Sequence, residues 1–316
     1  MNFKKPKFWD YKTPSFLSYL LLPFTIFIEI NNFILNIKNR ENKKQIKSIC
    51  VGNIYVGGTG KTPTTIRIFE ILKKLNLSPC VGKKFYDKQI DEITILKNQT
   101  HLLTGKLRSQ ILNKAIQSGK KTIIFDDGLQ DKTISYDLKI VCFDSNNLIG
   151  NSFLIPAGPL RERISSLANY DCVILKGENP NTKKFIKKIK NVNKKIRIFT
   201  TYLKVKNLRQ SNKSNKYVIF SGIGNPENFK NTLLKNKIKI IEEIVFPDHY
   251  NYNSYDIKNI KKIAFKKNAK IITTEKDFVK LSKAYQKNID FLKVETKFKN
   301  EKKFINYLKS KIYEKF

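Results

Sequence analysis

Residues 51–66 read VGNIYVGGTGKTPTTI, and this stretch decides the fold. A β-branched run leads into closely spaced glycines, after which Lys61 and Thr62 open a segment with helical periodicity. A strand, a glycine-rich turn and a helix in this order are the context in which backbone N–H groups bind a phosphate. The pattern G-x-x-x-x-G-K-[ST] would require a glycine at Tyr55, but the paired glycines that follow compensate for it. The alternative is a glycine-rich turn with a helix-capping threonine.

The interpretation as a phosphate loop, which we place at residues 57–62, gives each residue a role. Backbone N–H groups of the glycines would face the phosphates, Lys61 would neutralise the β and γ oxygens, and Thr62 would hold Mg²⁺. The residues predicted to bind the nucleotide are therefore Gly57, Gly58, Thr59, Gly60, Lys61 and Thr62.

A second motif, KTIIFDDGLQ at residues 121–130, supplies candidate metal ligands. Asp126 and Asp127 end an apolar strand at the sheet edge that carries the phosphate loop, where ligands of open α/β sheets bind. Either carboxylate would orient Mg²⁺ directly or through water, because this hard cation prefers oxygen ligands. A lone Asp-Asp-Gly is more often a turn, but its place beside a phosphate loop favours a metal site.

From Ile46 onward, short apolar runs alternate with helical segments. The runs IKSICVGNI, KTIIFDDG, LKIVCFD, DCVILKG and KIRIFTTYL are nearly continuous in apolar residues, as parallel strands covered on both faces should be. Helices are predicted between several of them, at Pro63–Leu75 and Ser109–Gln117. We therefore predict an α/β fold with a doubly wound, mostly parallel sheet of the P-loop NTPase type.

The polar stretch NLRQSNKSNK interrupts this alternation and predicts a linker at residues 208–216. The alternation restarts with KYVIFSGIGNPENFKNTLL and AKIITTEKD, and a helix near 302–313 closes the chain. The expected organisation is an N-terminal membrane-associating helix at 1–45, a phosphate-loop domain at 46–207, and a smaller α/β lobe at 217–316 that closes an active-site cleft.

The N-terminal segment combines a basic start with the apolar run PSFLSYLLLPFTIFIEINNFILNI. Its uncharged part, Thr13–Ile28, is shorter than the roughly 20 residues of a membrane-spanning helix, and Pro23 interrupts it. Polar side chains recur at helical spacing and form one stripe on an apolar cylinder: Ser18, Thr25, Glu29, Asn32 and Asn36. We predict a helix in the membrane interface, with Lys4, Lys5, Lys7 and Lys12 on anionic headgroups. The alternatives are a helix packed on the protein's own body and a secretory signal.

Composition limits the classes of partner. The chain has 316 residues and a net charge of +36, from 62 Lys and Arg against 26 Asp and Glu. This charge favours binding to polyanionic partners. The alternative explanation of the charge is compositional drift of an AT-rich coding sequence. The basic residues are spread along the chain without a nucleic-acid-binding motif, so no nucleic-acid partner is expected. Four separated cysteines predict buried, reduced thiols, and two histidines exclude a histidine-rich metal site.

Six motifs, in order along the chain, resemble the tetraacyldisaccharide 4'-kinase family of lipid A synthesis: VGNIYVGGTGKTP, DDGLQ, IPAGPLRE, GIGNPENF, FPDHYNY and TTEKDFVKL. The resemblance implies a kinase at the cytoplasmic face of the inner membrane. This kinase would use ATP and Mg²⁺ to phosphorylate the 4'-hydroxyl of a tetraacylated disaccharide 1-phosphate. No motif indicates an obligate protein partner.

The resemblance also implies roles for individual residues. PAGPLRE places Arg161 where it would stabilise charge on the transferring phosphoryl group, and Glu162 where it would bind the metal. FPDH supplies His249, which would act with Asp91 on the acceptor hydroxyl, orienting or relaying for the carboxylate. The implied catalytic residues are Asp91, His249, Lys61 and Arg161, and the implied metal ligands are Thr62, Asp126, Asp127, Gln130 and Glu162.

The chain departs from the family pattern in three ways. Asp131 stands where a histidine commonly follows the acidic motif, and the segment CVGKKFYDKQ is shorter than the family's Ser-Arg-Gly-Tyr-Gly stretch and hairpin. Asp91 lacks the glycine and proline that flank it in the family. The alternative interpretation of Asp91 and Glu92 is an acidic pair that starts a helix.

Two further motifs are interpreted first as local structure. Asn225 is predicted to cap a helix that begins at Pro226. TTEKD ends a strand, and no role is assigned to Glu275 or Lys276.

A membrane-associated ATPase or GTPase of another function, such as a chaperone or a non-catalytic adaptor, is the alternative to a lipid kinase. A chaperone of the same superfamily would need no apolar N-terminal helix. ATP consumption separates these hypotheses, because a kinase consumes little ATP without its lipid acceptor and much with it.

Overall fold

The computed structural model describes residues 5–37, 45–86, 89–208 and 215–313. Lys4, the side chain of Asn36 and most of the expected linker lie outside the described residues. The described chain divides into two compact units. The larger unit comprises Lys5–Phe85, Gln99–Leu203 and Thr296–Phe316, and the smaller unit comprises Tyr86–Asn98 and Lys204–Glu295.

The elements alternate along the chain as an α/β fold requires. The strands are β1 (Lys47–Gly52), β2 (Pro79–Lys84), β3 (Leu102–Gly105), β4 (Thr122–Asp126), β5 (Leu138–Asp144), β6 (Cys172–Lys176), β7 (Arg197–Val205), β8 (Lys216–Ser221), β9 (Lys239–Val245), β10 (Lys270–Thr274), β11 (Ile289–Leu292) and β12 (Val294–Phe298). The helices are α1 (Phe16–Leu20), α2 (Ile26–Ile37), α3 (Lys61–Lys74), α4 (Ile90–Gln99), α5 (Arg108–Gln117), α6 (Thr182–Val192), α7 (Pro226–Lys235), α8 (Ser254–Lys266), α9 (Glu275–Phe278), α10 (Lys283–Gln286) and α11 (Glu301–Tyr313).

An eight-stranded sheet forms the centre of the larger unit, in the order β12-β7-β6-β5-β1-β4-β2-β3. The seven strands from β7 to β3 run parallel to their neighbours. Strand order reverses beside β1, which lies between β4 and β5. In open α/β sheets, ligands bind at such a reversal, outside the carboxyl ends of the strands.

Burial accounts for the apolar strands. Every residue of β4 is buried, and so are all residues of β1 after the first. Helix α3 packs on β1, β2 and β4, and α5 packs on β2 and β3. The predicted α/β fold with a mostly parallel sheet is confirmed. All four cysteines are buried and free, and burial raises the pKa of the Cys50 thiol to about 12.

The smaller unit contains a four-stranded parallel sheet in the order β11-β10-β8-β9. Side chains alternate between the two faces of a strand, and β8 supplies both cores of this unit. Val218 and Phe220 belong to one core, and Tyr217 and Ile219 belong to the other. Helix α7 begins at Pro226 with Asn225 as its capping residue, as predicted.

Two segments lie in a unit other than the one that the sequence suggested. Helix α11 belongs to the larger unit, where Arg67 Nε donates to Glu301 at 3.2 Å and the rings of Phe199 and Phe304 lie 5.0 Å apart. Residues 86–98 belong to the smaller unit, although they lie between β2 and β3 in sequence. Both assignments depend on contacts between distant residues, which local sequence patterns do not encode.

The N-terminal apolar segment forms two helices rather than one. Helix α1 ends at Leu20 and α2 begins at Ile26, and a 3₁₀ turn that contains Pro23 lies between them. Proline lacks the N–H that a continuing helix would use. Within the described ranges, every helix is too short or too polar to span a bilayer.

The polar stripe of this segment faces the body of the larger unit. Ser18 is fully buried and bonds with Asn151 Nδ2 at 3.0 Å. Asn32 Nδ2 donates to the backbone carbonyl of Arg161 at 2.9 Å. The apolar side chains therefore point outward, and 67 % of the surface of Phe27 is exposed. The helices thus pack on the protein's own body, as one alternative stated, and still present the apolar face that a helix in the membrane interface would use.

Replacing Asn151 by Ala is expected to loosen the attachment of α1. Asn151 bonds with Ser18, donates to the carbonyl of Ala157 at 2.9 Å and accepts from the N–H of Phe153 at 3.1 Å. Leaving buried partners unpaired costs about 1–3 kcal/mol, so the free energy of unfolding should fall by that amount in urea titrations. Asn251→Ala is the exposed control, and an equal effect of both substitutions would contradict the assignment.

Candidate active site

Strand β1 leads the chain into the phosphate loop at the carboxyl edge of the larger sheet. Gly57 and Gly60 have φ angles of 136° and 85°, which glycine adopts without the strain that a side chain would add. Helix α3 begins at Lys61 directly after Gly60, so its free N–H groups lie beside the loop. The predicted order of strand, glycine-rich turn and helix is therefore present.

Tyr55, at the position of the missing glycine, is a buried structural residue. Its backbone bridges to Leu160, and its hydroxyl donates to the carboxylate of Asp10. Burial and this carboxylate raise the pKa of Tyr55 above its ordinary value. One residue beyond Leu160, the N–H of Arg161 donates to the carbonyl of Ile54 at 2.8 Å. The backbone of residues 54 and 55 thus joins the start of the loop to the segment that carries Arg161.

Asp126 ends β4 beside the loop with only 1 % of its surface exposed. The hydroxyls of Thr62 and Thr65 donate to its two carboxylate oxygens, each at 3.1 Å. Lys83, near the end of β2, places its Nζ atom 2.7 Å from Oδ2 of Asp126 and is equally buried. Burying a charge costs several kcal/mol unless it is paired and hydrogen-bonded. The ammonium and the two hydroxyls provide that compensation.

Asp127 lies between two cations at the mouth of the loop. Its Oδ2 atom is 3.5 Å from Lys61 Nζ, and its Oδ1 atom is 3.3 Å from Arg161 Nη1. The backbone of Asp127 has a φ of 60°, an uncommon conformation for a residue with a side chain. Buried Arg108 donates to the Asp127 carbonyl and pairs with Asp131. Arg108 and Asp131 therefore hold this strained turn where the carboxylate meets both cations.

Glu162 is buried and both of its carboxylate oxygens accept hydrogen bonds. Gln130 Nε2 donates to Oε1 at 2.8 Å, and the Tyr170 hydroxyl donates to Oε2 at 2.7 Å. Gln130 Oε1 in turn accepts from Arg161 Nη1 at 3.4 Å. The Gln130 side chain therefore links the carboxylate of Glu162 to the guanidinium of Arg161.

Asp91 and His249 meet in the smaller unit. Asp91 lies in the first turn of α4 with 3 % of its surface exposed, and its Oδ2 atom is 3.2 Å from His249 Nδ1. Among the described residues, neither atom has a partner in good hydrogen-bond geometry, so the contact is a close electrostatic one. The N–H of His249 donates to the Gly222 carbonyl at 3.2 Å, which fixes the backbone from which the imidazole extends.

The charges around Asp91 stabilise its ionised form. Burial acts to raise the pKa of this carboxyl, but His249 and the ammonium of Lys276, 3.6 Å from Oδ2, outweigh burial and hold the pKa below its ordinary value. The carboxylate is therefore ionised at neutral pH. Phosphoryl transfer depends mainly on positioning and electrostatic stabilisation, which an ionised, fixed carboxylate can supply to a hydroxyl.

The predicted site residues form two groups, one within each unit. The larger unit brings together Gly57, Gly58, Thr59, Gly60, Lys61, Thr62, Asp126, Asp127, Gln130, Arg161 and Glu162, and the smaller unit brings together Asp91 and His249. The predicted site residues did not include Lys83, Arg108 or Lys276. Lys83 directly follows an apolar run, which was a usable signal for a buried lysine. Nothing in the local sequence distinguished Arg108.

The comparison with family models matches residues 16–313 to the family described as Tetraacyldisaccharide-1-P 4'-kinase. The chain belongs to this family. Two relatives carry the name Tetraacyldisaccharide 4'-kinase. The protein of Pelagibacter ubique is 45 % identical over 308 residues, which cover 98 % of each chain. The protein of Rickettsia bellii is 35 % identical over 293 residues, which cover 87 % of this chain and 89 % of the relative.

A solved structure supports the fold of this 4'-kinase family member. LpxK from Aquifex aeolicus, determined in complex with ATP, is similar with a TM-score of 0.73 and 22 % identity, and the match covers 94 % of this chain and 100 % of that chain. The family fold therefore extends over nearly the whole chain.

Replacing Lys83 by Met is expected to destabilise this member of the 4'-kinase family strongly. The substitution keeps the apolar stem but leaves the Asp126 charge buried without its cation, which typically costs about 3–5 kcal/mol. The measurement is the free energy of unfolding in urea, with exposed Lys73→Met in α3 as the matched control. A loss below about 1 kcal/mol, the range of an exposed ion pair, would contradict the compensating role of Lys83.

Proposed function

We propose that this chain transfers the γ-phosphoryl group of ATP to the 4'-hydroxyl of a tetraacyldisaccharide 1-phosphate. Family membership and the geometry of the phosphate loop both support this function. The observation that carries it is the placement of Lys61 and Arg161 on the two oxygens of Asp127, directly beside the loop. Two cations held by one carboxylate are positioned to exchange that partner for phosphate oxygens.

In the proposed site, the chain's own residues bind and orient the donor. Backbone N–H groups of the phosphate loop and the start of α3 would take the phosphates, since a helix N-terminus favours anions. Lys61 would follow the β and γ oxygens. The side chain of Arg161 is partly exposed, so it can turn toward the transferring group, where a guanidinium stabilises developing charge.

The residues around Thr62 fit a magnesium ion. The described residues contain no cluster of three His, Cys, Asp or Glu side chains that would hold a metal alone. Mg²⁺ at nucleotide sites uses one or two protein oxygens and completes its shell with water and phosphate. Thr62 Oγ1 can supply one such oxygen, and Asp126 Oδ2 lies 3.1 Å from it, where it can hold a water of the metal's shell. Bound Mg²⁺ would neutralise charge on the β and γ oxygens.

We propose that the remaining candidate ligands do not contact the metal directly. Both oxygens of Asp126 already accept protein hydrogen bonds, and Lys83 contacts one of them. We therefore propose that Asp126 contacts the metal through water. Glu162 is likewise engaged by Gln130 and Tyr170. We assign Glu162, Gln130 and Asp127 to orienting water and Arg161 around the ion.

For the acceptor, we propose that Asp91 takes the proton of the 4'-hydroxyl while His249 holds the carboxylate. This role follows from the ionised state and burial of Asp91 and from the 3.2 Å approach of His249. A carboxylate within hydrogen-bond reach of the hydroxyl would orient it and accept its proton.

The exposed apolar face of α1 and α2 supports a membrane location. Phe16, Phe27 and Phe33 each expose two thirds or more of their surface, and their polar neighbours face the protein. Such a face can lie in the lipid headgroup region. We propose that the protein binds the cytoplasmic face of the inner membrane, where both ATP and an acylated acceptor are available.

Transfer of labelled γ-phosphate from Mg²⁺-ATP to tetraacyldisaccharide 1-phosphate in detergent micelles should test the proposed reaction. Lys61→Ala is expected to lower turnover by about 100-fold or more, the loss typical of a group that stabilises transition-state charge. Lys73→Ala, exposed on the same helix, should retain normal turnover. ATP hydrolysis that does not depend on the lipid would favour an ATPase or adaptor instead.

Replacing Phe27 and Phe33 together by Glu should reduce sedimentation with vesicles that contain anionic lipid. Burial of each phenylalanine in the membrane contributes roughly 1.5–3 kcal/mol to binding. Without this contribution, membrane binding should fall by at least 10-fold, while the affinity for ATP should not change. Phe265→Glu, a matched control on α8 with 88 % exposure, should sediment normally. Equal sedimentation of the double variant and the wild type would refute the proposed membrane face.

A further inference from the structure

Lys276 lies at the centre of the charged cluster of the smaller unit. It follows Glu275 in the short helix α9, directly after β10. Its Nζ atom is 3.3 Å from His249 Nε2 and 3.6 Å from Asp91 Oδ2. Two further carboxylates surround it, with Glu92 Oε1 at 3.3 Å and Asp248 Oδ1 at 3.9 Å.

The contact between Lys276 and His249 determines how the imidazole can be protonated. A lysine ammonium has three donors and no acceptor, so the Nε2 atom it approaches must accept. A neutral histidine carries its proton on one nitrogen only, and an accepting Nε2 leaves the proton on Nδ1. The Nδ1 atom is the one that faces Asp91 Oδ2 at 3.2 Å.

We infer that Lys276 is a positioning residue that fixes His249 in its Nδ1–H tautomer, so that the protonated nitrogen of the imidazole is the one that lies 3.2 Å from the Asp91 carboxylate. The inference rests on the proposed function of Asp91 and deepens it. With Nε2 covered by an ammonium, His249 orients the carboxylate and does not relay its proton. Of the two roles left open for this histidine, the contacts favour orientation.

The surrounding carboxylates keep Lys276 charged. Burial alone would lower the pKa of Lys276. The carboxylates of Glu92, Asp91 and Asp248 outweigh burial, and the pKa is raised above its ordinary value. The ammonium is therefore a permanent donor at any pH at which the enzyme would work. A methionine would keep the stem and remove the donor and charge, whereas an arginine would keep both.

The tautomer can be read directly by nitrogen NMR of the full-length protein labelled with ¹⁵N-histidine. The chain has only two histidines, His101 and His249, so His101→Gln assigns the spectrum. We expect an unprotonated Nε2 and a protonated Nδ1 for His249 in the wild type and in Lys276→Arg. In Lys276→Met, His249 should shift toward the Nε2–H tautomer that predominates in water. An Nε2–H tautomer in the wild type, or no change in Lys276→Met, would overturn the inference.

Turnover supplies the second readout. Lys276→Met should lower kcat by about 10-fold or more with KM for the lipid unchanged, because a positioned base contributes roughly 100- to 10,000-fold and Lys276 supports part of it. Lys276→Arg should recover most of the rate, and exposed Lys283→Met should match the wild type. A raised KM with unchanged kcat would mean that Lys276 binds substrate, and would contradict a positioning role.

The two readouts separate the inference from the proposed function. If the wild type transfers no phosphate to the lipid, the proposed function fails, whereas the tautomer of His249 still confirms or refutes the contact with Lys276. Thermal unfolding of each variant shows whether a loss of rate follows from a loss of fold.

Discussion

The ion pair between Asp126 and Lys83 lies inside the larger unit, where each side chain exposes only 1 % of its surface. Strand register brings the two together, since Gly82 of β2 pairs with Phe125 of β4, and Val51 of β1 pairs with Asp126. The phosphate loop, the carboxylate and its ammonium therefore share one sheet edge. A slip of one residue would turn one of these charges to the opposite face and leave the other buried without a partner. Compensation of this charge thus constrains the register that builds the site.

The same unit connects the exposed apolar helices to the phosphate site. Helix α2 contacts the chain on both sides of Glu162, because Asn32 donates to the carbonyl of Arg161 and Glu29 pairs with Arg163. A surface helix ordinarily buries its apolar stripe, whereas α2 uses its polar stripe for this attachment. The face proposed to meet the membrane and the guanidinium proposed to meet the phosphate are therefore attached through one segment.

Much of the larger unit could be predicted from sequence, because its parallel strands are continuous apolar runs and its loop has a recognisable glycine pattern. Features that depend on distant contacts could not. Lys83 acquires its role only through the pairing of β2 with β4, and α11 joins the larger unit through Arg67 and Phe199. Lys276 was interpreted only as part of a motif that ends a strand. Its carboxylate and imidazole neighbours come from segments far away in sequence, so no local pattern indicated its role.

We propose that the phosphate-loop residues bind ATP and that Asp91 acts on the acceptor. The most direct test measures ATP affinity and single-turnover phosphoryl transfer on the same preparations of the wild type and Asp91→Asn. Asparagine keeps the shape of the side chain and removes its charge. We expect an unchanged Kd for ATP and transfer slower by about 100-fold or more. Normal transfer by a folded Asp91→Asn, or loss of ATP affinity in that variant, would contradict it.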